Sequence, residues 1–126
     1  MHSLDEAYLA QLRFSADQIS TLKRIGEFRG MQELFTRQTP EVLESLKKVA
    51  MVESSESSNR LEGITAPHER IEAIVLKSAA PNDRSEQEIT GYRDALNLIH
   101  EAHAHMDLSN NVVLQLHAMV QRYLPR

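Results

Sequence analysis

The chain has no cysteine and no tryptophan among its 126 residues, only four glycines and four prolines, and an aromatic content of 5%. Without cysteine there is neither a disulfide framework nor a thiolate metal site, and a reducing compartment is compatible. So few glycines leave no Gly-rich loop to cradle a phosphate. With aromatics scarce, apolar cover must come from Leu, Ile, Val, Met and Ala, a set that suits helix packing. The net charge is -4, and the fourteen basic residues are scattered. That gives no electrostatic case for nucleic-acid binding, which needs clustered Lys and Arg. The N-terminus Met1-His2-Ser3-Leu4-Asp5-Glu6 lacks a basic segment followed by an apolar run, so it does not read as a secretory signal. No stretch reaches the ~18 uninterrupted apolar residues of a membrane span. A cytoplasmic protein with no membrane partner is the expectation. Hydrophobic residues at 41% and charged residues at 25% balance as in a globular domain with a core of its own.

What is present reads as helix throughout. Ser15-Ala16-Asp17-Gln18 has the form of a capping box. Ile19, Leu22, Ile25 and Phe28 follow at three-residue steps, with Leu34 and Phe35 continuing the apolar set, which predicts an amphipathic helix. Gly26 and Gly30, four apart, predict close backbone packing against a neighbouring helix. Thr39-Pro40 opens a second helix, Thr39 as cap and Pro40 at the first helical position, with Val42, Leu43, Leu46, Val49 and Ala50 as its buried stripe. The serine-rich stretch from Glu53 to Asn59 would suit a linker, since serine is a middling helix former. The lack of Pro or Gly before Gly63 favours continued helix. Gly63 fits the left-handed position after a helix end, with Ile64 folding back.

A short helix is expected from Thr65-Ala66-Pro67-His68-Glu69 through Ile71, Ile74, Val75 and Leu76, with Pro67 in its first turn. After the turn Ala80-Pro81-Asn82-Asp83, Ser85-Glu86-Gln87-Glu88 reads as a second capping box. Ile89, Tyr92, Leu96, Ile99 and Met106 define a long helix, and Val112, Val113, Leu116, Met119, Val120 and Tyr123 a last one. No alternating β-branched run or hairpin dipeptide competes. The expectation is an all-α fold of about five to six amphipathic helices, organised as an N-terminal segment 1–14, a helical region 15–80 and a further region 81–126.

Candidate chemistry is sparse. His100, His103 and His105 depart from His-Glu-x-x-His, because position 104 is Ala; an i, i+3 pair could share a face, but a solvated helix end is the plainer reading. His117, beside the apolar stripe, reads as a packing histidine. Paired acids such as Glu86 and Glu88 follow the preference of helix N-termini. No nucleophilic triad or phosphate loop is legible, so no catalytic, cofactor-binding or metal residue is assigned.

One feature breaks a local rule. Glu62 stands at a helix C-terminus, where the aligned carbonyls carry roughly half a negative charge. An acid there is repelled unless a cation arrives from elsewhere, and rules broken without local gain point to function. Ser58 lies four residues earlier, on the same helix face. The plainer reading makes Glu62 a solvated end residue and Ser58 incidental.

Ser58-Asn59-Arg60-Leu61-Glu62-Gly63 matches Ser/Thr-x-x-x-Glu-Gly/Asn and resembles the inhibitory helix of Fic-family AMP transferases. Ser54, Ser55 and Ser57 lead into it and Ile64 follows. Gly91 through Ile99, and Leu108 through Leu116-His117, resemble the first helices of the Fic core, so the resemblance covers about residues 15–124. It implies an ATP- and Mg-dependent enzyme that adenylylates protein hydroxyl side chains. It also implies that Glu62 pairs with the active-site Arg that otherwise holds the ATP γ-phosphate, that Ser58 supports the same face, and that Gly63 ends the helix. The family's catalytic signature His-Pro-Phe-x-x-Gly-Asn-Gly-Arg is absent. The region 81–126 is then the start of a Fic core cut before its active site, inactive alone, whose partner is the missing C-terminal core. ATP and Mg belong to the full-length protein, and none is expected to bind this chain alone. Apolar surface left uncovered would favour self-association. Two alternatives are a free-standing, antitoxin-like helical protein that inhibits a separate Fic toxin, and a helical scaffold without any Fic connection.

Overall fold

The computed structural model describes residues 3–37 and 39–125. Among them it contains six α-helices, one short 3-10 turn and no strand, as the all-α expectation requires. The helices are α1 (Glu6–Leu9), α2 (Ala16–Thr36), α3 (Pro40–Leu61), α4 (His68–Lys77), α5 (Arg84–Ala102) and α6 (Asn110–Val120), with the 3-10 turn at His103–His105 between the last two. The chain divides into two compact units, Met1–Leu46 and Lys47–Arg126.

In the first unit, α2 starts where its sequence says it should. Gln18 N–H donates to Ser15 Oγ at 3.2 Å and Ser15 N–H to Gln18 Oε1 at 2.9 Å, a complete capping box. Its expected amphipathicity does not materialise. Ile19, Leu22, Ile25, Phe28, Met31, Leu34 and Phe35 are each more than half exposed, and α2 buries nothing. The three-residue step explains this. At 3.6 residues per turn each step falls about 60° short of a full turn, so from Ile19 to Leu34 the apolar residues spiral around most of the helix instead of lining one side. Gly26 and Gly30 also depart from expectation: a Cβ at either would meet nothing within 4 Å. Val42, Leu46 and Val49, expected in the buried stripe of the next helix, are likewise more than half exposed.

The second unit holds the core. Met51 and Val52 of α3, Ile71, Ile74 and Val75 of α4, and Ile89 of α5 form one buried cluster, with Ile64, Ala66, Ala79 and Leu96 packed against it. Ile74 and Ile89 are fully buried, and each such side chain contributes on the order of 1.5–3 kcal/mol. The i, i+3, i+4 spacing of 71, 74 and 75 puts them on one helix face, as expected. Pro67 is the N-cap of α4, one residue earlier than a first-turn position.

Helix α5 also starts earlier than its sequence suggests. Asp83, not Ser85, is the N-cap, with its Oδ1 accepting from Glu86 N–H at 2.8 Å. The Glu86 carboxylate is committed elsewhere. Arg70 grips it with Nε to Oε1 at 2.9 Å and Nη2 to Oε2 at 2.7 Å, and Asn82 N–H donates to Oε2 at 2.8 Å. Together these bonds tie α4 and the turn before α5 to the buried start of α5. Met106 lies beyond α5, which stops at Ala102; the His103 ring nitrogen Nδ1 sits 3.1 Å from the His100 carbonyl oxygen at that end.

The close glycine contact falls at Gly91. A Cβ there would stand 2.1 Å from the Val120 carbonyl oxygen, so only glycine lets α5 approach the end of α6 this closely. Beyond α6, Tyr123 Oη donates to Asp94 Oδ2 at 2.6 Å. Asp94 also accepts from Arg93 through Oδ1, and Arg93 Nη1 reaches the Ile74 carbonyl at 2.9 Å. That run of bonds joins α4, α5 and the segment after α6. His117, expected to pack, is exposed.

Candidate functional site: the carboxylate at the end of helix α3

The serine-rich stretch is helix, not linker, and the reason is local. A serine or asparagine weakens a helix by offering the backbone a competing partner. Here those side chains are used within the helix or against its neighbour. Ser57 Oγ donates to the Glu53 carbonyl at 2.7 Å and Asn59 Nδ2 to the Ser55 carbonyl at 2.7 Å. Ser54 and Ser58, one turn apart, both meet Tyr92 of α5: the phenol oxygen lies 3.1 Å from each hydroxyl and donates to Ser58 Oγ. Ser55 and Asn59 are buried on the adjoining face. The Ser55 hydroxyl has no hydrogen-bond partner among the described residues, so burial there serves close approach more than polar pairing.

The helix then stops in a Schellman motif. Gly63 takes φ 78, its N–H bonds the Arg60 carbonyl at 3.0 Å, and Ile64 N–H bonds the Asn59 carbonyl at 2.9 Å. Those two bonds satisfy carbonyls that a helix end otherwise leaves open. Ile64 is pulled back against the core cluster, which fixes the direction in which the chain leaves. Gly63 therefore sits in the left-handed conformation that its place in the sequence suggests, and a Cβ at this φ would strain the turn.

Glu62 is the residue between helix and glycine. It is exposed, and among the described residues its carboxylate makes no hydrogen bond or ion pair. Leu61 beside it is 87% exposed. Ser58 and Glu62 follow one another along the helix but serve different surroundings: Ser58 is half-buried against Tyr92, while Glu62 faces solvent. The structure does not join them through a hydrogen bond. The corner thus presents a negative side chain at the negative end of a helix, on a backbone pinned by its cap.

A second link crosses this corner. Glu56 Oε2 and His68 Nδ1 lie 2.6 Å apart, joining the last turns of α3 to the first residue of α4. The hydrogen bond to Glu56, with its charge, holds the His68 imidazole above its ordinary pKa, against an opposing effect of burial; Glu72 and Glu69 push upward more weakly. Sequence reading missed this pair and the Tyr92 bridge. The partners are 12 and 34–38 residues apart, and periodicity carries no signal at that separation.

His100, His103 and His105 are exposed. Among the described residues no three His, Asp or Glu side chains are grouped to hold a metal ion, and no helix is long and apolar enough to cross a membrane. No known family model matches the chain, and a search of curated proteins finds no match.

Proposed function

We propose that this chain is the autoinhibitory and core-starting part of a Fic-type AMP transferase, and that Glu62 is the group that withholds activity. One observation carries the reading: Glu62 offers a solvent-facing carboxylate, without a partner among the described residues, from a helix end whose geometry is locked. A carboxylate so placed gains little from its own helix and much from an incoming guanidinium, which can take both oxygens. Support comes from the Tyr92 bridge. Residues 91–99 resemble the opening of a Fic core, and Tyr92 fastens the inhibitory helix to that segment through Ser54 and Ser58. The role of Ser58 is then to hold the helix, and the role of Glu62 to block.

In this reading Glu62 occupies the arginine that would grip the ATP γ-phosphate, so ATP is turned away or held unproductively. Among the described residues no three His, Asp or Glu side chains are grouped to hold a metal ion. ATP and Mg²⁺ belong to a catalytic segment supplied outside these 126 residues, and no chemical step is assigned to residues of this chain.

Breaking a desolvated ion pair costs about 3–5 kcal/mol. At ~1.4 kcal/mol per decade, release of roughly two to three and a half orders of magnitude in activity is the upper bound for Glu62→Gly. The measurement is auto-AMPylation with labelled ATP, in the protein that joins this chain to its catalytic segment. Equal incorporation by the parent protein and the Glu62→Gly variant would remove Glu62 from regulation.

A further inference from the structure

The corner carrying Glu62 is closed on two sides. On the helix side, Gly63 and Ile64 return two hydrogen bonds to the end of α3. On the other side stands the Glu56–His68 contact, which shuts residues 57–67 into a loop. Among the described residues, this is a direct side-chain link from the last turns of α3 to the start of α4. We propose that the Glu56–His68 contact is a protonation-strengthened clip that steadies the Glu62 corner, tightest at mildly acidic pH and weaker as pH rises.

The charge around the imidazole favours this sense. From α3 it is faced by Glu56, with Glu53 and Lys48 lining the same shallow cleft of about 260 Å³; from α4 it is faced by Glu72 and Glu69. Of these, Glu56 favours the imidazolium most, with Glu72 and Glu69 adding to it. The raised pKa sets the direction of linkage: a histidine whose folded pKa lies above its unfolded value contributes stability below about 6.5 and loses it as pH rises through the folded value. Both partners are partly solvated, so the effect is modest, and it is local because the clip spans only the corner.

The clip itself needs nothing outside this chain. Its consequence, an inhibition that slackens as pH rises, rests on the reading of Glu62 given above. Amide exchange separates the two. In the 126-residue chain, protection of the Glu62, Gly63 and Ile64 amides is followed from about pH 6 to about pH 9, corrected for intrinsic exchange and referenced to Ile89 and Thr90 of the core. Protection at the corner should fall about two- to fivefold relative to the core, the span of an exposed ion pair. It should stay flat in His68→Gln and in Glu56→Gln, and the His68 imidazole should titrate lower in Glu56→Gln by NMR. A flat profile in the parent chain, or the same fall in both variants, overturns the clip. A clip that passes while Glu62→Gly leaves AMPylation unchanged stands as a structural device without that regulatory role.

Discussion

Ile25 and Phe28 of α2 are more than half exposed, while Ile71 and Ile74 of α4 are at most 2% exposed, although all four sit in helices rich in similar residues. The difference lies in spacing. Steps of three carry apolar residues around a helix, whereas 71, 74 and 75 return to one side and find Met51, Val52 and Ile89 waiting there. No described residue before Met51 is buried. The comparison teaches that apolar content does not make a core unless its period matches the helix. It also places Glu62 in the unit that has a core to brace it.

The sharpest test of this contrast is truncation of one residue on each side. Ile74→Ala should cost about 2–5 kcal/mol, lost burial plus the cavity left behind, and Phe28→Ala should stay within about 0.5 kcal/mol. Gly91→Ala belongs with the large effects. Its methyl would strike the Val120 backbone, so α5 and α6 must part, at about 1–3 kcal/mol. Urea unfolding followed by amide exchange in α4 and α5 reads all three. A Phe28→Ala loss as large as that of Ile74→Ala would mean that α2 is covered in solution, and the contrast would collapse.

How far the sequence could anticipate this follows the range of each interaction. The capping box at Ser15, the face of 71, 74 and 75, and the left-handed Gly63 depend on neighbours within about one helical turn, and all are legible. The glycines are not, because what a glycine permits depends on a distant backbone: Gly26 and Gly30 meet open space, while Gly91 meets Val120. The start of α5 was hidden for a different reason, a competing local cap. The expected box needs Glu88 to reach back to Ser85, but Asp83 caps the helix two residues earlier and Glu88 pairs with Arg84 instead. At the site, the positions of Ser58 and Glu62 were readable from a four-residue spacing. That Ser58 answers to Tyr92, while Glu62 has no partner among the described residues, required the fold.

The Arg70–Glu86 pair offers a test of intermediate size within the braced unit. The Arg70 hydrogen bonds hold the Glu86 carboxyl down at about 2, against the opposing effect of its burial and with help from Asn82 N–H. A depressed carboxyl contributes stability above its ordinary pKa of 4.5 and loses it as pH falls through the folded value. The second unit should therefore weaken progressively between about pH 4.5 and about pH 2, and Glu86→Gln should flatten that slope. At neutral pH the same substitution should cost about 1.5–3 kcal/mol, the range for hydrogen bonds to a charged group. Thermal unfolding across that acid range, parent against variant, measures both. An unchanged acid slope in the variant would mean that the pair does not govern it.

The smallest change of definite sign is a gain, and it comes from the uncovered side. Gly30 lies inside α2 with open space where its Cβ would be. Alanine there should reduce the freedom of the unfolded chain without any clash, raising helix stability by about 0.4–1 kcal/mol. The sign is opposite to that at Gly91, although both glycines are helical. Far-UV circular dichroism of Gly30→Ala should show a higher helix content, with α2 amides slower to exchange and α4 and α5 amides unchanged. A loss of helix instead would place another backbone against Gly30 in solution, and with it a surface that spiralling apolar residues had hidden from a one-face reading.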